Sequence, residues 1–282
     1  MKDPSTSALS AHGAAPRTRS FVAVVTWLQA YVIVGAAVSL VGWVMDVHAL
    51  ADWDDDGITI QPNASLAALA SGIAVLSLAR GYRLIAAILG AFVAFVGVSA
   101  LFQLLTDVDL GIDTVLMFER TWGRVGVTSP GRMGPPGATS WALIGLGIIL
   151  ATGRRGSSAR RITPAFALIT ALISALGLIG YLYGASPLYA LPSLTIIALQ
   201  TASFIFAASI GLLLCVPEHG AIRLLGENTP GGILARRIVP AIVLIPILLG
   251  FIRLVGDRSG LYDGSFGSAL RTLLEIVLFV VF

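Results

Sequence analysis

The chain has 282 residues, of which 56% are hydrophobic and 12% are charged, and its mean hydropathy is +0.90. Soluble domains carry about 25% charged residues, so this composition excludes a water-soluble globular protein. The apolar residues form long blocks near the ~20 residues that cross a bilayer as a helix. We therefore expect an all-α integral membrane protein.

The chain begins with a polar segment, residues 1–20, in which Arg17 and Arg19 precede the first apolar run. That run is too long for the apolar region of a signal peptide and lacks a small-residue cleavage site, so we predict that it is retained as the first span. Residues 21–282 then form one membrane domain. We predict eight spans, at residues 21–45, 64–79, 84–105, 138–152, 164–183, 194–215, 238–254 and 268–282.

Basic residues set the orientation, because Lys and Arg are retained in short cytoplasmic segments. With the N-terminus inside, the inner segments hold twelve of the 18 Lys and Arg residues, and the outer segments hold eleven of the 15 Asp and Glu residues. We therefore expect a multi-pass protein of the bacterial inner membrane with both ends cytoplasmic. The basic pI follows from this asymmetry and does not indicate nucleic-acid binding, since basic residues are not interleaved with aromatic ones.

Three inward-going spans begin alike, with a Pro, Ser or Thr start followed by an Ala-, Ser- and Thr-rich apolar run. Proline and small hydroxyl residues suit a first helical turn, and small residues allow helices to approach closely. The pattern fits either three helices with good N-termini or one helical hairpin used three times. The three stretches are 62–72, 136–147 and 193–203.

Three groups of segments carry a resemblance to known proteins. The first group is 109–113 with 130–133 and 138–150, and the second is 180–184 with 188–189 and 198–202. The third is 230–237 with 239–240, 246–253 and 260–263. Together they resemble the multi-helix N-terminal membrane region that precedes PAS, histidine-kinase or diguanylate-cyclase modules in bacterial signalling proteins.

The resemblance implies a membrane sensor domain whose last helix leads to a cytoplasmic output, foremost a histidine kinase acting as a homodimer. In proteins with this resemblance the position of Gln200 is more often histidine. If that histidine binds a ligand, this chain has lost or altered that property. The chain holds no phosphoacceptor-type histidine hairpin and no Gly-rich ATP-binding segment, so we expect no catalytic activity and no cofactor. Its last residues, 273–282, are apolar apart from Glu275, and we expect them to continue into a longer protein.

The longest outer segment, 106–137, combines carboxylates with arginines, and we single out Asp109, Asp113 and Arg132 as ligand-binding candidates. The alternative is a structural lid held by Asp–Arg pairs. The segments that carry the family resemblance add Tyr189 and Gln200 to the ligand-binding candidates.

Arg253 ends the seventh span, with Tyr262 and Asp263 just beyond it. These residues either hold a polar group of a ligand or form a snorkelling arginine with a partner at the membrane edge.

Asp52, Asp54 and Asp56 match the first half of a calcium loop, D-x-D-x-D-G. The twelfth position is Asn63 rather than the usual glutamate, so the preferred interpretation is a solvated acidic loop without metal. Within the last span, Arg271 and Glu275 lie one turn apart. Because intramembrane acids usually pair and face the bundle interior, they are candidates for relaying a signal.

Other functions are disfavoured by what the sequence lacks. The three histidines lie outside the predicted spans, and Lys2 is the one lysine, which excludes a buried bis-histidine haem and a retinal Schiff base. A stand-alone transporter or channel subunit remains the alternative, although such proteins string several ionisable groups through the bilayer. A lipid- or quinone-processing enzyme is a third possibility. The expected ligand is small or lipophilic, and the surrounding partner is the lipid bilayer.

Overall fold

The computed structural model is helical, with 76% of residues in helices and no strand among the residues it describes. This confirms the all-α prediction. The structure describes residues 16–113, 116, 118, 120–125, 127, 129–184, 197–227, 229–260, 267–269 and 272–276.

Seven of the described helices overlap predicted spans, and the eighth predicted span, 268–282, lies partly outside the described residues. Five of the helices are long and apolar enough to cross a membrane, namely α1, α2, α3, α5 and α8, while α4 and α6 are shorter apolar helices. A short helix that the hydropathy pattern does not predict, α7, precedes α8. The bounds are α1 Pro16–Met45, α2 Pro62–Ala79, α3 Arg83–Thr106, α4 Pro135–Ala151, α5 Ser158–Tyr183, α6 Leu199–Leu214, α7 Gly220–Gly226 and α8 Pro230–Arg258.

Helices α5 and α8 begin well before their predicted apolar segments because polar residues cap them. The Ser157 hydroxyl accepts the Arg160 N–H ahead of α5, and the Thr229 hydroxyl accepts the Gly232 N–H ahead of α8. Such caps satisfy N–H groups that have no partner within the helix. In α8, Pro230 also occupies the first turn, where its missing N–H costs nothing.

Helices α2, α4 and α6 form the centre of the bundle, each packing against the other two. The remaining long helices lie around them: α1 packs against α2 and α6, α3 against α2 and α4, and α5 against α4 and α6. The result is an approximate threefold arrangement. The three central helices are the ones whose starts resemble one another, which is the arrangement that a hairpin used three times would produce.

Small residues set the closest helix approach, between α3 and α4. A side chain at Gly97 would overlap the backbone of Ala142, and one at Gly145 would overlap the backbone of Ala94. Glycine therefore allows the two backbones to touch, as in other membrane helix pairs. The outward face of α3 is apolar and exposed, for example at Leu84, which suits contact with lipid.

Helix α8 lies at the edge of the bundle, where its principal contacts are with α5 and α7. Only 6% of its most apolar stretch is buried. The loops at the two ends of the bundle differ in charge. Residues 46–61 and 107–134 define the acidic end, and residues 80–83, 152–157 and 215–229 define the basic end.

Candidate functional site at the acidic end

The starts of α2, α4 and α6 converge at the acidic end around a small cavity of about 30 Å³. This volume is enough for roughly one or two water molecules or one polar group of a ligand. The backbone N–H groups of a first helical turn have no partner within the helix and give that end a partial positive charge. The polar and small residues lining the cavity are Thr59, Gln61, Gly134, Gly137, Ala198 and Thr201.

Gln61, which precedes the first residue of α2, lines this cavity. Its amide nitrogen donates to the Gly123 carbonyl, 3.1 Å away. The side chain is 4% exposed, and its Oε1 has no hydrogen-bond partner among the described residues. Because a buried acceptor without a partner costs free energy, a donor group in the cavity would stabilise this site. The sequence analysis missed Gln61, although it directly precedes the helix-starting Pro62.

Gln200 lies in the first turn of α6 and is fully buried. Its amide nitrogen donates to the Ala51 carbonyl, which also accepts the N–H of Ile60. Its Oε1, like that of Gln61, has no partner in the described part of the chain. Gln200 therefore connects α6 to the loop between α1 and α2 and brings a second unsatisfied acceptor to this end of the bundle.

Two predicted ligand-binding residues, Asp113 and Arg132, form a buried ion pair. Arg132 Nε lies 2.7 Å from Asp113 Oδ2, and the side chains are 10% and 4% exposed. Asn63 also donates to Asp113, at 3.4 Å. The third candidate, Asp109, lies 3.7 Å from Arg132 and is 74% exposed at its side chain. This arrangement favours the lid interpretation, since Arg132 and Asp113 satisfy each other.

The same long loop is attached to the end of α1 by aromatic and charged contacts. The Trp122 ring lies 4.2 Å from that of Trp43, and the Trp122 indole N–H donates to Asp46 at 2.8 Å. Arg120 donates to the carbonyls of Trp43 and Val44. Trp43 is fully buried and was not a sequence candidate, because an aromatic residue in a span is expected to face lipid or core.

The acidic loop between α1 and α2 brings Asp52, Asp54 and Asp56 together, with one carboxylate oxygen of each within 4.8 Å of the others. Gly57 adopts a φ of +87° and donates its N–H to Asp52 at 2.9 Å. These residues could hold a cation. However, the oxygen of Asn63, at the twelfth position, accepts the Ala64 N–H at 2.7 Å. Asp52, Asp54 and Asp56 thus resemble the first half of a calcium loop, whereas Asn63, at the last ligand position, belongs to the start of α2.

Two of these carboxylates, Asp54 and Asp56, have a raised pKa, chiefly because they are partly buried. Burial raises the pKa of Asp54, and the neighbouring charge of Asp56 raises it further. Burial also raises the pKa of Asp56, although a hydrogen bond from the Ile58 N–H and the nearby Tyr181 hydroxyl oppose the shift. Tyr181 lies in α5, so the acidic loop also contacts that helix.

Two tyrosines of α5 connect the cavity with α8. The Tyr181 hydroxyl donates to the carbonyl of Ile197 at 3.0 Å, and Ile197 lines the cavity. The Tyr183 hydroxyl donates to the carbonyl of Ile247 in α8 at 2.9 Å. The motif Gly180-Tyr-Leu-Tyr-Gly184 is among the segments that carry the family resemblance. The roles of its tyrosines could not be predicted from the sequence, because they depend on which helices are neighbours.

Two further candidates lie in other described helices. Arg253 lies in α8 and is partly buried, and Glu275 is partly buried in the helical residues 272–276. Four candidates lie outside the described residues, and their predicted roles stay predictions. These are Tyr189, Tyr262, Asp263 and Arg271.

Comparison with protein-family models, with curated proteins and with solved structures gives no match. The class that the fold defines is therefore an α-helical protein with several candidate membrane spans.

Proposed function

We propose that the chain is the membrane-embedded input domain of a bacterial signalling protein, with eight spans, a cytoplasmic N-terminus and a histidine kinase as its output. A small or lipophilic ligand, or a change in the membrane, acts at the acidic end, which faces outward. Helix α8 and the span that follows it pass the change to the cytoplasmic side. The parent protein acts as a homodimer in the inner membrane.

One observation carries the proposal: a continuous set of contacts joins the cavity to the peripheral helix α8. Ile197 lines the cavity and accepts a hydrogen bond from Tyr181, and Tyr183, two residues further along α5, bonds to α8. A ligand in this cavity that satisfies the Gln61 side-chain oxygen would bind one arrangement of these helix ends better than another. Such differential binding is what shifts a two-state equilibrium.

The weak attachment of α8 supports the same interpretation. Because α8 is buried over only a small part of its surface, few contacts oppose its displacement relative to the bundle. The central helix α2, in contrast, is 56% buried over its most apolar stretch. A rigid bundle with one loosely attached helix suits the transmission of a small shift better than the passage of a solute.

The first experiment is to sequence the native locus beyond the codon for Phe282. An open frame that leads into a kinase, PAS or cyclase module supports the proposal, and the kinase activity of the full protein in nanodiscs can then be compared for wild type and Gln61→Leu. A stop codon directly after Phe282 would overturn it. Solute flux through liposomes containing the chain would then test the transporter alternative.

A further inference from the structure

A second cavity, of about 170 Å³, lies at the basic end of the bundle, opposite the candidate site. It opens between the start of α1, the end of α2 and the end of α6. Its volume is well beyond what a single water molecule needs. A Cβ added at Gly81, in the turn that borders the cavity, would meet nothing within 4 Å, so this side of the cavity is open.

The cavity is lined by both apolar and basic residues. Phe21, Val22 and Leu78 are among the apolar residues, at the point where the first span begins. The basic residues are three arginines from different parts of the chain, Arg83, Arg155 and Arg160. Apolar side chains at the edge of a span in one cavity with guanidinium groups fit an amphipathic anion, with its charged group towards the arginines.

The three arginines differ in how their charges are used. Arg160 is 4% exposed, and its Nε lies 2.7 Å from Glu218. It also donates to the carbonyls of Ala151 and Cys215, which belong to the ends of α4 and α6. Arg160 thus forms hydrogen bonds to carbonyl oxygens that would otherwise repel a bound anion.

Glu218 remains ionised as the partner of Arg160. Burial raises the pKa of Glu218, but its own backbone hydrogen bond and the adjacent Arg160 guanidinium outweigh this effect and hold the pKa below its usual value. One carboxylate is thereby matched to one guanidinium. Arg83 and Arg155 are exposed, and their side chains form no hydrogen bond or ion pair within the described ranges, so their two positive charges are available to a ligand.

We propose that this cavity binds a phosphate-bearing anion and that its natural occupant is the headgroup of an anionic phospholipid. Guanidinium groups bind phosphate oxygens through paired, charge-assisted hydrogen bonds. Basic pockets between membrane helices on the cytoplasmic side recognise such headgroups. Phe21 and Val22 would then contact the upper part of the acyl chains. The site is independent of the ligand proposed for the acidic end.

The chain provides a matched pair of variants to test this site. Arg83→Ala with Arg155→Ala removes the two available charges. Arg154→Ala with Arg161→Ala removes two neighbouring exposed charges that do not line the cavity. The full chain in neutral detergent would be titrated with dioleoyl phosphatidylglycerol, with dioleoyl phosphatidylcholine and with inorganic phosphate. Binding would be followed by native mass spectrometry and by the shift in Tm.

We expect phosphatidylglycerol to bind more tightly than phosphatidylcholine. Since a basic residue near an anionic surface contributes about 1 kcal/mol, each arginine of the cavity should account for about fivefold in affinity. The 83/155 variant should lose this preference, the 154/161 variant should keep it, and Arg83→Lys with Arg155→Lys should retain part of it.

Equal weakening in the 83/155 and 154/161 variants would show a general effect of charge and would overturn the site. Equal binding of the two lipids would overturn it as well. If inorganic phosphate binds in an Arg83- and Arg155-dependent way and phosphatidylglycerol does not, the anion site is supported and the lipid assignment is overturned. A wild-type-like Tm of each variant without added ligand confirms that the fold is intact.

Discussion

The hydroxyl of Tyr183 donates a hydrogen bond to the main-chain carbonyl of Ile247, 2.9 Å away, and thereby joins the end of α5 to α8. Gly250, one turn further along α8, lies so close to this ring that a side chain there would overlap the Tyr183 hydroxyl. The Arg258 guanidinium also approaches the Tyr183 carbonyl, at 3.4 Å. Several contacts between α5 and α8 therefore involve one tyrosine.

Tyr183→Phe should loosen α8 without unfolding the bundle. One hydrogen bond contributes about 1 kcal/mol to stability, so a small decrease in Tm is expected. Because the bond holds a peripheral helix, amide hydrogen exchange should increase within α8 and not within α2, α4 or α6. Hydrogen–deuterium exchange with mass spectrometry measures this directly.

The control for this variant is Tyr31→Phe. Tyr31 also forms a hydrogen bond between helices, to the Ser203 hydroxyl at 2.6 Å, but it joins α1 to α6. A similar loss of Tm with unchanged exchange in α8 is expected. If both variants changed exchange in α8 equally, the special role of Tyr183 would be refuted.

Asp113→Ala should be strongly destabilising, because it leaves the Arg132 guanidinium buried without its carboxylate partner. Removing one member of a buried ion pair typically costs about 3–5 kcal/mol. Asp109→Ala is the control, since Asp109 is mostly exposed and farther from Arg132, and such surface pairs contribute little. Unfolding by titration with SDS would compare the two variants with wild type, and equal losses would contradict the buried pair.

The acidic loop predicts a pH dependence of stability with a definite sign. Asp54 and Asp56 have a pKa raised above the ordinary value, chiefly by burial. A group whose pKa is raised on folding contributes stability below its unfolded pKa, and this contribution is lost as the pH rises through the folded pKa. Both carboxylates therefore oppose folding at neutral pH, and this effect disappears on acidification to about pH 4.

Asp54→Asn with Asp56→Asn removes these charges while keeping oxygens that accept hydrogen bonds. The variant should have a higher Tm than wild type at pH 7, and the difference should shrink towards pH 4. Asp107→Asn, an exposed carboxylate outside the loop, should show no such pH-dependent gain. A Tm below that of wild type at pH 7, measured in buffer that contains a chelator, would contradict the conclusion that these carboxylates oppose folding.

The positions of the helices were predictable and their pairings were not. Hydropathy and the prolines at 62 and 136 predict approximately where α2 and α4 begin, since those signals are local. The bond from Gln200 to Ala51 joins residues 149 positions apart, and it depends on which helices are neighbours. Arg160 was assigned to the inner basic residues by charge alone. Its burial depends on Glu218, 58 residues away.

Gly97→Leu tests the closest helix contact in the bundle, which the small residues of α3 and α4 make possible. A leucine side chain there would overlap the backbone of Ala142, and backbone cannot rotate away as a flexible side chain can. Overpacking of this kind costs about 1–3 kcal/mol and sometimes more, so a large decrease in Tm or a failure to accumulate in the membrane is expected.

The control is Ala91→Leu, at an exposed position on the same helix. It adds a similar apolar side chain to the outward face, where lipid accommodates it, and the Tm should remain near that of wild type. A pair of variants with equal Tm would show that α3 and α4 are not in backbone contact. That result would also argue against the central position of α4 in the bundle.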